Sequence, residues 1–346
     1  MSFKIIKTLK SGEELRQLLP LSHKNKLQVE QDQRDIFNIL SGADQRLLMI
    51  VGPCSAWPQS AVLKYAKKLA ELNQEIKHAI KLVMRVYIQK PRTTKGWTGP
   101  INQPNPFAAS DIDAGAFYCR KMMLDVINLG LPIADEALFT HNRDKFHELL
   151  SWVAIGARSS EDPEHRIFAS ALDCPVGLKN PTHGTLDIAV NSIVAAQYPH
   201  VATFHGQEIE TSGNPYAHLV LRGSNRQPNY DNESLWKVIK AMSQHNIKNP
   251  SVMIDVSHDN CLINGKKRYE KQATIIFKIL DNIKKDEKLR SLVKGFMVES
   301  FIEKGNQKIS SEKPGVVNMQ GLSITDPCFG WLDTKKMLLK IAGYLS

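Results

Sequence analysis

"LLMIVGPCSAWPQS", Leu47 to Ser60, is an apolar run that stops abruptly at Gly52-Pro53 and presents a thiol, Cys54, where the chain turns. A short uncharged run bounded by Gly and Pro reads as a strand buried on both faces, the kind found in parallel sheets. The thiol is open to three readings: core filler, nucleophile or metal ligand. A lone cysteine is most often the first, because free Cys behaves as a small hydrophobe.

Outward from this run, short β-branched stretches alternate with longer segments of helical period. The candidate strands are 47–52, 81–88, 131–138, 152–159, 174–180, 200–204, 218–223, 251–257 and 295–300. Segments such as "SAVLKYAKKLAELNQEI" (60–76) lie between most of them. This alternation predicts βαβ units and a parallel sheet. The candidates are one too many for a closed (β/α)8 TIM barrel. The odd one is 200–204, which is followed by "HGQEIETSGNPYAH", too short for a crossover helix and rich in turn residues. It is therefore expected to be an inserted β-hairpin before strand six. Residues 1–45, with "SGEELRQLLP" and "EQDQRDIFNIL", read as an N-terminal helical extension, and 46–346 as the barrel.

Composition agrees with this outline. The chain has 346 residues, 42% hydrophobic and 23% charged, which suits one barrel of about 250 residues plus extensions. The formal net charge is +10, but Lys and Arg are scattered, and the longest basic cluster is Lys266-Lys267-Arg268. That pattern argues against a nucleic-acid partner, which needs a basic stripe. The cysteines at 54, 119, 174, 261 and 328 include no CxxC pair, so neither a zinc ribbon nor a dithiol motif is indicated. No apolar run suggests a signal peptide or a membrane span. The expectation is a cytoplasmic protein with reduced thiols and no membrane partner.

Nearly every predicted strand ends in a side chain that is costly to bury. Strand one ends at Cys54. Strand two carries Arg85 and runs into Lys90 and Arg92, and strand three ends in Asp135 and Glu136. Strands four, five and six end at Arg158, Lys179 and Arg222, strand seven at Asp255 and His258, and strand eight at Glu299. In a (β/α)8 barrel the active site lies at these C-terminal ends. A single such charge is ordinary; so many converging on one mouth are hard to explain as structure alone, because buried unpaired charge is penalised. The cations suit phosphate and carboxylate ligands. Their number suggests two anionic ligands, or one with several anionic groups. Cys54, His258, Glu299 and Asp326 make a mixed soft and hard set for a divalent ion such as Mn, Fe, Co or Zn.

These residues fall in recognisable motifs: "RLLMIVGPCS", "LVMRVYIQKPRTTKGWTGPIN", "SWVAIGARSSE", "CPVGLKNPTHGT", "HLVLRG", "VMIDVSH", "GFMVES" and "LSITDPCFGWLDT". Together they resemble the 3-deoxy-D-arabino-heptulosonate 7-phosphate (DAHP) synthases of the type I alpha subclass, in the family's order and over essentially the whole chain. The resemblance implies a metal-dependent (β/α)8 enzyme that condenses phosphoenolpyruvate with erythrose 4-phosphate in the shikimate pathway. It implies that Cys54, His258, Glu299 and Asp326 hold the metal, and that Arg85, Lys90, Arg158, Lys179 and Arg222 bind phosphoenolpyruvate. Arg92 and Thr93 would bind the phosphate of the aldose. Lys90 becomes a candidate proton donor to the forming alkoxide, its pKa lowered by cationic neighbours. A neutral, metal-bound His258 would be a poor base. The family also implies a homodimer or homotetramer built with the N-terminal extension.

The chain departs from the family pattern in several loops. Ala56-Trp57-Pro58 stands where the family usually has Ile-His-Asp, and "LKNPTHG" (178–184) where it has LKNGTDG. The segment 200–213 is shorter than the family's inserted hairpin. In feedback-regulated members that hairpin helps to form the aromatic amino-acid effector pocket. Such changes leave open a different aldose phosphate, or a non-catalytic sensor of phosphorylated metabolites.

Overall fold

The computed structural model describes residues 2–90, 96–138, 144–183, 185–204, 206–309 and 317–346. The strand read from Leu47 is β1 (Leu47–Gly52), followed by β2 (Ile80–Arg85), β3 (Ile133–Ala137), β4 (Trp152–Ile155) and β5 (Val176–Lys179). A hairpin, β6 (Val201–Phe204) and β7 (Gln207–Glu210), precedes β8 (Ala217–Leu221) and β9 (Val252–Asp255). A two-residue ribbon, β10 (Leu262–Ile263) and β11 (Lys266–Lys267), comes before β12 (Val293–Glu299). Among the described residues the barrel closes in the order β1-β12-β9-β8-β5-β4-β3-β2, and every pairing within it is parallel. The expected TIM barrel is therefore present, and 201–210 forms an antiparallel hairpin outside it, before the sixth barrel strand, as the turn residues predict.

The apolar run of β1 divides its residues between two cores. Leu48 and Ile50 join Val83, Trp152, Val220, Met253 and Met297 inside the barrel. Leu47, Met49 and Val51 pack outward, in the same cluster as Val62, Leu69 and Leu72 of α3 (Gln59–Ile76). A period of two in a strand covered on both faces requires this division. Gly52 has no room for a side chain, since a Cβ there would lie 2.6 Å from the Arg85 carbonyl oxygen.

Two N-terminal helices, α1 (Gly12–Leu18) and α2 (His23–Ser41), precede β1. Ile36, Ile39 and Leu40 of α2 enter the interior cluster, so this helix plugs the barrel at the N-terminal ends of the strands. Lys81, near the start of β2, fixes it there with Nζ 2.7 Å from both Asp32 and Asp35. With the bottom closed, the opposite mouth is left for ligands.

Candidate active site

A cavity of about 360 Å3 opens at the C-terminal ends of the barrel strands. Cys54, Arg85, Lys90, Arg158, Lys179, Arg222, His258, Glu299 and Asp326 all line it. Arg92 and Thr93 lie outside the described residues.

One wall carries the donor cluster. The Cys54 thiol and one carboxylate oxygen each from Glu299 and Asp326 lie within 4.8 Å of one another. Ligands about 2.0–2.3 Å from a shared ion stand at comparable mutual spacing. Glu299 is held through its backbone, which exchanges two 2.9 Å hydrogen bonds with the Gln272 side chain. Asp326 arrives from the loop beyond β12, tied back by a bridge between Ser300 and Phe329 and another between Gly305 and Cys328. His258 is not part of the tight cluster among the described residues. Its Nδ1 lies 2.9 Å from Asp255 and 2.8 Å from the Ser257 hydroxyl, and its backbone has φ +52°. The Ser257 hydroxyl donates to Asp255 Oδ1 at 2.7 Å and so accepts from Nδ1, a carboxylate-anchored relay that fixes the tautomer and leaves the other ring nitrogen for a metal.

Electrostatics fit a cation at the cluster. Burial, then the Glu299 charge, push the Cys54 thiol upward, a shift that a divalent ion would reverse. Burial would raise Asp326, but Lys267 and His258 outweigh it and hold the carboxyl at about 2. Burial, aided by the Arg222 and Lys179 charges, lowers His258 in spite of Asp255, which favours the neutral imidazole. A thiol, two carboxylates and a neutral imidazole backed by a carboxylate are a suitable donor set for a divalent transition metal.

The remaining walls are cationic. Among the described residues, five basic side chains and three acidic ones line the cavity. Arg85 donates through Nε to the Pro53 carbonyl at 3.1 Å and pairs through Nη2 with Glu299 at 3.3 Å. Its Nη1 is buried with no hydrogen-bond partner among the described residues. An orphaned buried charged donor is costly and points to an absent anionic acceptor. Lys179 lies 3.7 Å from Glu136 and 3.4 Å from Asp255, and Arg222 lies 3.4 Å from Asp259. Burial and Arg85 oppose the charge on Lys90, but Cys54, Glu136 and Glu299 prevail and its pKa rises. This corrects the expectation of a lowered value. Counting the cationic neighbours alone missed the thiol and the carboxylates.

The DAHP synthetase I family model matches residues 21–339. The Tyr-sensitive phospho-2-dehydro-3-deoxyheptonate aldolase of Escherichia coli K12 is 39% identical over 338 residues, covering 96% of this chain and 92% of its own. The Phe-sensitive aldolase of the same strain is 38% identical, covering 99% and 96% respectively. A phospho-2-dehydro-3-deoxyheptonate aldolase structure from Francisella tularensis SCHU S4 superposes with a TM-score of 0.91 at 36% identity, covering 99% of this chain and 98% of that one. The chain belongs to the DAHP synthetase I family.

Within this member of the family, Ala56-Trp57-Pro58 does a packing job. Trp57 is buried, donates from Nε1 to the Pro104 carbonyl at 3.0 Å, and meets Trp97 and Phe107 edge-on at 6.4 and 6.5 Å. It thereby braces the loop that follows the KPRTT segment. Sequence reasoning assigned no role to Tyr87 or Lys267, both of which reach the site. Tyr87 was findable, because it lies two residues beyond Arg85 and shares its inward face. Lys267 was not. It sits in a basic cluster that reads as surface, and only the β10–β11 ribbon brings it to Asp326.

Proposed function

We propose that the protein condenses phosphoenolpyruvate with erythrose 4-phosphate and water to give DAHP and inorganic phosphate. The observation that carries this reading is the juxtaposition, in one cavity, of a cationic wall and the Cys54–Glu299–Asp326 donor cluster. In this reading Arg85, Lys90, Arg158, Lys179 and Arg222 bind the carboxylate and phosphate of phosphoenolpyruvate. The unpartnered Nη1 of Arg85 supplies one of the donors. Arg92 and Thr93 take the aldose phosphate. Cys54, Glu299 and Asp326, with His258 through its free ring nitrogen, would hold a divalent ion of the Mn, Fe, Co or Zn class. When bound, such an ion supplies Lewis acidity at the aldehyde oxygen.

The chain's contribution is to fix two mutually repelling anions side by side. Carbon 3 of the enol phosphate then attacks the aldehyde carbon. Water adds at carbon 2, where positive charge develops, and the resulting hemiketal expels phosphate. Lys90, with its raised pKa, serves as a fixed cation more than as a proton donor. Residues 46–346 would form the catalytic domain and 1–45 an extension used in a homodimer or homotetramer. The exposed Phe3, Ile5 and Ile6 support that use of the arm. A cytoplasmic location fits the phosphorylated substrates of this reading.

The test is phosphate release from phosphoenolpyruvate with each of several aldose phosphates, in the presence of Mn2+. Erythrose 4-phosphate should be the preferred acceptor. Turnover with arabinose 5-phosphate and none with erythrose 4-phosphate would sink the substrate assignment while sparing the mechanism. Phosphoenolpyruvate binding with no turnover on any acceptor would favour a sensor.

A further inference from the structure

Three of the cations assigned to the anion site surround one aromatic ring. The Arg85 guanidinium carbon lies 4.0 Å from the centroid of Tyr87, Lys90 Nζ 5.5 Å and Lys179 Nζ 5.7 Å. The ring is 1% exposed and forms part of the cavity lining. Its hydroxyl points elsewhere, to the Met297 sulfur at 3.7 Å. Of the three cations, Arg85 and Lys179 also have carboxylates within 4 Å, whereas Lys90 has none among the described residues.

We propose that Tyr87 is a positioning residue whose negative π-face seats Arg85, Lys90 and Lys179 and holds them converged on the anion site before substrate arrives. The proposal rests on the reading of this cavity as the phosphoenolpyruvate site. Three like charges gathered in a buried pocket repel one another strongly. A carboxylate beneath them would relieve the repulsion, but it would also occupy their N–H donors and repel the incoming anion. A ring face attracts cations within about 6 Å and accepts no in-plane hydrogen bond. A guanidinium stacked on it keeps its edge donors free. Arg85 shows this at one donor: its guanidinium carbon lies over Tyr87 at 4.0 Å, Nε and Nη2 are engaged by Pro53 and Glu299, and Nη1 stays buried without a partner among the described residues.

The competing role for Tyr87 is core filling, since its ring also packs in the barrel-interior cluster. The two roles separate on ring electronics. Fluorine substitution drains the π-face while nearly preserving ring shape. The experiment measures the dissociation constant of phosphoenolpyruvate alone, by calorimetry on the full chain with no aldose present. The variants are Tyr87→Phe, phenylalanine analogues at position 87 bearing one, two and three ring fluorines, and Tyr87→Leu. Tyr87→Phe should stay within about threefold of the parent, because the face is retained. Affinity should then fall stepwise with each fluorine, to roughly tenfold weaker for the trifluoro ring. Tyr87→Leu should bind roughly 10- to 100-fold more weakly. In the same variants KM for phosphoenolpyruvate should rise more than kcat falls. A flat affinity across the fluorinated series overturns the platform, even if the Leu variant is weak or unstable, because shape alone would then account for the residue. If affinity follows the fluorine count but no variant releases phosphate with erythrose 4-phosphate, the platform stands and the proposed reaction fails. If the parent protein binds no phosphoenolpyruvate, both fail.

Discussion

Asp135 and His218 pull stability in opposite directions across mildly acidic pH. Burial raises the Asp135 carboxyl to about 7, while Oδ1 accepts the Ile88 N–H at 3.1 Å. Between pH 3.8 and 7 the folded state keeps a proton that the unfolded chain loses, so this group's contribution is full below pH 3.8 and fades as pH rises through 7. Burial lowers His218 to about 4. Its Nε2 accepts from Trp152 at 3.2 Å and its Nδ1 donates to the Tyr216 carbonyl at 2.8 Å, so the neutral ring satisfies both bonds. Here the unfolded chain binds the extra proton, so this contribution is full above pH 6.5 and is lost as pH falls through 4. The two slopes largely cancel in the parent. Asp135→Asn should therefore make unfolding free energy rise with pH relative to the parent, and His218→Gln should make it fall, each by up to about 3–4 kcal/mol across the window. Urea titrations at pH 4, 5.5 and 7 read both, and parallel pH profiles for the parent and both variants would refute the assignment.

At the scale of the element, the barrel interior depends on size matching between neighbouring strands. Trp152 on β4 occupies the interior beside Gly177 on β5, where a Cβ would lie 2.2 Å from the indole Cζ2 and 2.7 Å from Val220 Cγ2. Gly177→Ala should cost about 1–3 kcal/mol by overpacking, read as a lower urea midpoint. An unchanged midpoint would mean that the indole moves freely. The strands were legible in the sequence because each is a short apolar run buried on both faces. The hairpin at 201–210 was legible because its turn residues leave no length for a crossover. The connection from β3 to β4 was less so. Among the described residues it holds only the short 3-10 turn His147–Leu149 where the alternating pattern calls for a helix. The approach of Asp326 to Cys54 and Glu299 could not be read from periodicity either. It depends on bridges between loops beyond β12, so Asp326 entered the donor set by residue type and by the resemblance, and not by strand topology.

For the whole molecule, the formal charge of +10 finds part of its use in one place. Among the described residues, five basic side chains converge on the cavity, while a helix-plugged barrel beneath keeps them in register. Part of the site was visible because strand ends are fixed by topology: any side chain there must face the mouth. The Asp255–His258 pairing and the Lys267–Asp326 contact were invisible, since they depend on backbone turns and a two-residue ribbon. Lys267 pairs with Asp326, so a divalent ion held as proposed would compete with that ion pair. The most direct test of the account is phosphate release from phosphoenolpyruvate plus erythrose 4-phosphate, measured alongside Mn2+ binding, for the parent and Cys54→Ala. The parent should bind Mn2+, lose turnover in chelator and regain it when Mn2+ is restored, and Cys54→Ala should lose both binding and turnover. Undiminished phosphate release from Cys54→Ala in the presence of chelator would contradict it.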